Sequence, residues 1–191
     1  MDLKNGDAVT AKLIIKGSVL ELTRGDITRE ETGAIVNAAN KQLSPGGGVS
    51  GAIHSAAGPG LWQEAKKLGG CGTGEARLTG GHGLKAGSVI HTVGPVYSGS
   101  RSDSTDLKNC YYNSLDLAAK KGIGSISFPS ISTGIFGYPV KEASRIALET
   151  IISFLKQCRE IRLVRMVLFS EEDFNVHRES LEDLKQGNLH K

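Results

Sequence analysis

The chain has 191 residues, with 23 Lys plus Arg against 20 Asp plus Glu, a formal charge of +3 and 39% hydrophobic residues. That length hides roughly 70% of the unfolded surface and leaves little room for a second core, so one globular domain over 1–184 with a polar tail, 185–191, is expected. Cys71, Cys110 and Cys158 are too few and too scattered for a disulfide framework or a thiolate zinc site, no run of about 18 apolar residues suggests a membrane partner or a secretory leader, and a reducing cytoplasm fits best.

Apolar alternation at 12–16 and 19–23 predicts a β-hairpin with a type II′ turn at Gly17-Ser18. A compact strand follows at 34–37, then small residues and Ile53 shape a helix over 49–57. Two more strands, 75–79 and 88–93, flank a glycine-rich loop at 80–87. Leu107, Cys110, Tyr111, Leu115 and Ala118 recur at spacings of three and four, which predicts an amphipathic helix over 106–120. A strand over 123–128 leads to the strongest helix, opened by Pro139 and carrying Val140, Ala143, Ile146, Ala147, Ile151, Phe154 and Leu155 on one stripe. A strand at 161–169 and a helix at 171–184 complete the series, and the tail has nothing to bury. This alternation implies the α/β class, a three-layer α/β/α sandwich around a mixed, mostly parallel sheet. Ligands of such sheets lie beyond the carboxyl ends of the strands.

Glycine is the outlying residue, 25 in all, well above the usual level of about 7%. The loop after Asn37 carries Gly46, Gly47, Gly48 and Gly51 into a helix. Three consecutive glycines bare the backbone N–H groups beside a positive helix N-terminus, an arrangement suited to a phosphate or diphosphate. The loop after Phe128 places Ser132, Thr133, Gly134 and Gly137 before a second helix, where they would close the other side of the same anion. No GxxxxGK[ST] and no helix-opening GxGxxG is present, which removes the main support for an ATPase or a dehydrogenase. Ser50, in GVSGA, misses a GxSxG elbow by one position, and the five histidines show no metal-ligand spacing; no metal and no cofactor are expected. Ser50 and His54 are four apart and could face one another on a helix, as a catalytic pair or as ordinary packing.

The segments GDIT (25–28), AIVNAAN (34–40), GGGVSGAIHSAAGPG (46–60), VIHTVGPVY (89–97) and SISTGIFGYP (130–139) together resemble the macrodomain family, and GTGEARLTGGHGL (72–84) resembles its MacroD-type subgroup. The likeness runs from about residue 19 to 184. It implies a cleft for ADP-ribose. Asp26 would accept from the adenine amino group, Ile27 would add backbone contact, and Phe169 would stack on the base. Gly46, Gly47, Gly48 and Val49 would wrap the distal ribose and diphosphate. Ser132, Thr133, Gly134, Ile135 and Gly137 would close the phosphate side, and Phe136 would pack on the distal ribose. Asn40 would hydrogen-bond the distal ribose hydroxyls, and Asn37 would hold the loop from below.

The subgroup's GGGVDG carries an Asp where this chain has Ser50. A serine hydroxyl is no general base near neutral pH, although it can orient a water. Two functions follow from the resemblance. One is a hydrolase, with Asn40 and Ser50 at the reacting end, that frees ADP-ribose from Asp/Glu-linked mono-ADP-ribosylated protein or from O-acetyl-ADP-ribose at a reduced rate. The other is a reader that binds ADP-ribose or ADP-ribosylated protein without chemistry. Nucleic acid is not the expected partner, since Arg159, Arg162 and Arg165 at a helix-to-strand junction more often form a solvated surface. The sequence leaves the oligomeric state open.

Overall fold

The computed structural model describes residues 10–187. Its elements are β1 (Thr10–Ile15), β2 (Ser18–Arg24), β3 (Ala34–Ala38), α1 (Gly48–Ala57), α2 (Pro59–Ala65), β4 (Ala76–Gly80), β5 (Ser88–Thr92), α3 (Arg101–Lys120), β6 (Ser125–Phe128), α4 (Val140–Leu155), β7 (Leu163–Leu168) and α5 (Glu171–Gly187), with short 3-10 helices at Ile27–Arg29 and Lys66–Leu68. One seven-stranded sheet takes the order β1-β2-β7-β6-β3-β5-β4. The five inner strands are parallel. The two edges, β1 on β2 and β4 on β5, are antiparallel.

The pleat sorts the core into two faces. Ala34 and Val36 of β3 join one cluster with Leu107, Cys110 and Leu115 of α3, Ala147 and Ile151 of α4, and Leu181 of α5. Ile35, between them in sequence, joins the other with Ile53 of α1 and Leu61 of α2. Ile90 and Val89, and Met166 and Val167, divide the same way. Alternate side chains of one strand point to opposite faces, so both faces need a cover. Three helices cover one and two cover the other, the expected three-layer sandwich.

The hairpin turn differs from the expectation by one residue. Ile15 pairs with Ser18, so the two-residue loop is Lys16-Gly17. Both loop residues have positive φ, 47° and 90°, as a type I′ turn requires. Gly17 supplies the second central position rather than the first. α2 is absent from the expected elements although Pro59 at its first position marks it, because seven residues show too little periodicity. α3 begins five residues earlier than expected. Ser100 and Asp103 form a capping box that the apolar spacing alone does not register. Pro139 lies just outside α4 as its N-cap. α5 continues to Gly187, with Lys185 paired to Glu182 at 2.7 Å, and the rest of the expected tail lies outside the described residues.

Arg165 is no solvated surface charge. It is held by Glu21 at 2.7 Å and Glu30 at 2.8 Å, and Arg159 donates to the Lys16 carbonyl at 2.7 Å. The arginine triplet therefore offers no continuous basic face. Among the described residues no helix is long and apolar enough to cross a membrane.

Candidate functional site

Because β2, β7, β6 and β3 are parallel neighbours, the loops leaving their carboxyl ends share one rim. Asp26, Phe169, the 130–137 loop and Asn40 follow one another along it, over three strand spacings or about 14 Å. A ligand reaching from Asp26 to Asn40 must be extended.

At the β2 end, Asp26 caps the 3-10 helix. Its Oδ1 accepts from the Thr28 N–H at 2.9 Å and the Thr28 hydroxyl at 2.7 Å. Those two donors hold the carboxyl below its ordinary range, so it is an anion near neutral pH. Oδ2 lies 3.9 Å from Arg29 and keeps its acceptor capacity. Ile27 is buried behind it. The Gly25 N–H donates to the Leu168 carbonyl at 2.9 Å, tying this turn to β7 immediately before Phe169. Phe169 is 84% exposed, a large apolar ring left in solvent at the strand end.

At the β3 end, Gly46 and Gly47 lead into α1, which Gly48 begins at φ 54°. Gly47 is the N-cap and has no side chain to satisfy the first-turn N–H groups, which are left for a ligand or water. Gly51 is required by close approach: a Cβ there would sit 2.6 Å from the Gly46 carbonyl. Val49 is half-buried. The Asn40 amide pins its own loop, donating to the Ser44 carbonyl at 2.9 Å and accepting from the Ser44 N–H at 3.1 Å. The Ser44 hydroxyl also contacts both amide atoms, at 3.1 Å from Nδ2 and 3.3 Å from Oδ1, longer contacts that a ligand hydroxyl could replace.

Ser50, in the first turn of α1, is 4% exposed, and its hydroxyl has no hydrogen-bond partner. Asn40 and Ser50 both approach Gly46. A Cβ placed on that glycine would lie 3.6 Å from Asn40 Nδ2 and 3.7 Å from Ser50 Oγ.

Behind them is a buried polar group the sequence reading did not assemble. The fully buried Asn37 amide approaches His91 Nδ1 at 3.1 Å, and His91 Nε2 meets the Thr79 hydroxyl at 2.9 Å. The other end of that amide, Asn37 Oδ1, is buried without a partner. Burial, with the neighbouring His54 adding to it, pushes His91 down to about 4. His54 stands 6.4 Å from it, ring to ring, is lowered by burial too, and has no partner at either nitrogen. Ser50 and His54 make no hydrogen bond to each other. The signal for His91 was its place in a strand beside β3, which only strand order supplies.

The 130–137 loop folds on itself: Gly137 N–H donates to the Gly134 carbonyl, Tyr138 N–H to the Ser132 carbonyl and the Thr133 hydroxyl to the Ser130 carbonyl. Ser132 is held at φ 66°, and its buried hydroxyl has no partner. Gly137 has φ 69°. Gly134 faces open space, Ile135 is 96% exposed and Phe136 is half-buried. A cavity of about 450 Å³ opens next to this loop, lined by Asn40, Lys41, Gly94, Asp103, Asp106 and Phe136 among others. Of these the sequence reading had only Asn40 and Phe136.

Residues 36–147 match the Macro domain family. The chain is 45% identical over 183 residues to the ADP-ribose glycohydrolase MACROD2 of Xenopus laevis; the match covers 93% of this chain and 44% of that protein, so the chain spans under half of that relative's length. Its fold is similar to the Oceanobacillus iheyensis macrodomain solved with ADP, with a TM-score of 0.92 and 44% identity, covering 95% of this chain and 100% of the other. It is also similar to the Trypanosoma brucei macrodomain in complex with ADP-ribose, with a TM-score of 0.81 and 42% identity over 85% and 68% of the two chains. With more than half its length matched and its strand-end loops in this arrangement, the chain belongs to the Macro domain family.

Proposed function

We propose that this protein binds ADP-ribose along the strand-end rim and hydrolyses mono-ADP-ribosylated protein, linked through Asp or Glu, or O-acetyl-ADP-ribose. The observation that carries this reading is the approach of Asn40 and Ser50 to the same glycine, Gly46, beside an uncapped helix N-terminus. The anionic Asp26 takes the adenine amino group, a pure donor, on its spare oxygen while Ile27 adds backbone contact, and the solvent-exposed Phe169 ring stacks on the base. Gly46, Gly47, Gly48 and Val49 hold the diphosphate and distal ribose with first-turn N–H groups. Ser132, Thr133, Gly134, Ile135 and Gly137 close the phosphates from the other side, and Phe136 packs on the distal ribose. The relatives' names and bound nucleotides support the same ligand.

At the distal ribose, Asn40 fixes the hydroxyls with its amide, exchanging its contacts to the Ser44 hydroxyl for them. The unpartnered Ser50 hydroxyl orients a water that the diphosphate also holds. Water and ester give free ADP-ribose, the acceptor's carboxylate and one proton. Ser50 takes up no proton near neutral pH, so the rate falls below that of an enzyme with a carboxylate there; general-base assistance is worth about 10²–10⁴-fold. Three free cysteines fit action in the cytoplasm, on ADP-ribosylated proteins.

Time-resolved release of ADP-ribose from a Glu-linked mono-ADP-ribosylated protein, alongside binding of free ADP-ribose, tests the reading. Release above the no-enzyme rate is expected, and Ser50→Asp should raise it at least about tenfold with binding little changed. Binding without release identifies the alternative, a non-catalytic reader, which the lack of a carboxylate at Ser50 favours. No binding overturns both.

A further inference from the structure

The roles proposed above use the rim from Asp26 to Asn40 and leave the 450 Å³ cavity unexplained. Its volume falls in the range of small-ligand pockets. Two of its lining residues, Asn40 and Phe136, are those assigned to the distal ribose, so the cavity begins where the bond to the acceptor lies. The buried, unpartnered Ser132 hydroxyl sits against Gly94 on the same lining: a Cβ on that glycine would fall 2.1 Å from Ser132 Oγ.

The outer wall is the start of α3. Asp103, buried, accepts from the Ser98 N–H at 2.7 Å and the Ser100 N–H at 3.2 Å, which with the hydroxyls of both serines keep it ionised. Asp106, one turn on, is half-buried and makes no hydrogen bond or ion pair among the described residues. The opposing charge, Lys41, is exposed beside Asn40, where water and salt screen it. The wall therefore presents net negative potential, with one carboxylate unspent.

We propose that this cavity is the acceptor subsite, receiving the modified side chain and the residue next to it, and that Asp106 selects acceptors with a Lys or Arg beside the modified Asp or Glu. The assignment rests on the hydrolase reading above. Lys41, at the mouth, lies on the side where the acceptor's carboxylate leaves. Asp106 acts as a specificity residue and takes no part in the bond changes.

The test uses synthetic peptides with one ADP-ribosylated Glu followed by Lys, Ser or Glu, and the full chain. The expected order of kcat/KM is Lys above Ser above Glu, with about fivefold between the extremes at low salt, shrinking at high salt. In Asp106→Asn the ratio between peptides should fall toward one, whatever the absolute rate. The peptide series on the unaltered protein keeps the test decisive if that variant folds poorly. Equal rates on all peptides, or an unaltered ratio in Asp106→Asn, overturn the subsite. A uniform loss on every peptide with the ratio kept also overturns it, since that would place Asp106 in the chemistry. Failure of free ADP-ribose to bind would instead overturn the underlying function.

Discussion

The two halves of the rim satisfy their polar groups differently. At the β2 end, Asp26 is bonded by Thr28 and the turn is tied to β7 by Gly25. At the β3 and β6 end, Ser50, Ser132 and both His54 nitrogens are buried without partners, and Ser132 stands at positive φ. Each buried unpaired group costs about 1–3 kcal/mol, so their grouping needs a compensating partner when the protein works. Under the proposed function, the base end is finished before the ligand arrives, whereas the ribose end is completed by it, which would separate recognition from chemistry along one edge of the sheet. His177 in α5, with Nε2 unpaired, is the exception away from the rim.

Acid should break this contrast most strongly. His91 is fully buried with its pKa near 4, below the ordinary 6.5, so the folded state binds fewer protons than the unfolded state between those values. Its contribution is present above pH 6.5 and is lost as pH falls toward 4, by on the order of 3 kcal/mol. His54 and His177, lowered by burial, act in the same direction. Urea midpoints followed from pH 7 to 4 should fall, with hydrogen exchange rising first in β3 and β5; exchange rising first around Asp26 would reverse the comparison.

Asn40→Ala should lower turnover by about 100-fold, near 2.7 kcal/mol, while ADP-ribose affinity, read by calorimetry, drops far less. A parallel loss of both would make Asn40 a binding residue only. Gly94→Ala forces a Cβ onto Ser132 Oγ at 2.1 Å and Ile131 Cγ2 at 2.7 Å. A destabilisation of about 1–3 kcal/mol is expected from that overpacking, with weaker ligand binding because the 130–137 loop must move. Thermal denaturation and titration of one sample measure both. Phe169→Ala should weaken ADP-ribose binding by about tenfold, within the 1–3 kcal/mol typical of base stacking, and leave the melting temperature nearly unchanged because the ring is already in solvent. A large loss of stability would identify Phe169 as a packing residue.

Much of the fold was legible because local signals agreed. The α4 stripe, the α3 spacing and the alternating strands each carried their own periodicity, and the glycine runs marked both helix entrances. The one-residue shift at Lys16-Gly17 shows the limit of turn reading: Gly serves in either central position, and only the register Ile15 to Ser18 decides between them. Asn40 and Ser50 were legible as residues of one loop and helix, but their common approach to Gly46 was not, since it depends on how Gly51 lets the loop close on α1. Asp106 was invisible as a cavity-lining residue because it occupies an ordinary polar position on an amphipathic helix.

The sequence by itself determined the class of the fold, the strands and four of the five α-helices, and the composition of the loops, because helix and strand periods and glycine's freedom act over a few residues. Tertiary structure alone decided the strand order that lines up Asp26, Phe169, Ser132 and Asn40 on one rim, the burial that holds His91 neutral, and the wall that brings α3 beside Asn40. Those outcomes depend on pairing between segments far apart in the chain, whose cost and reward no local pattern records.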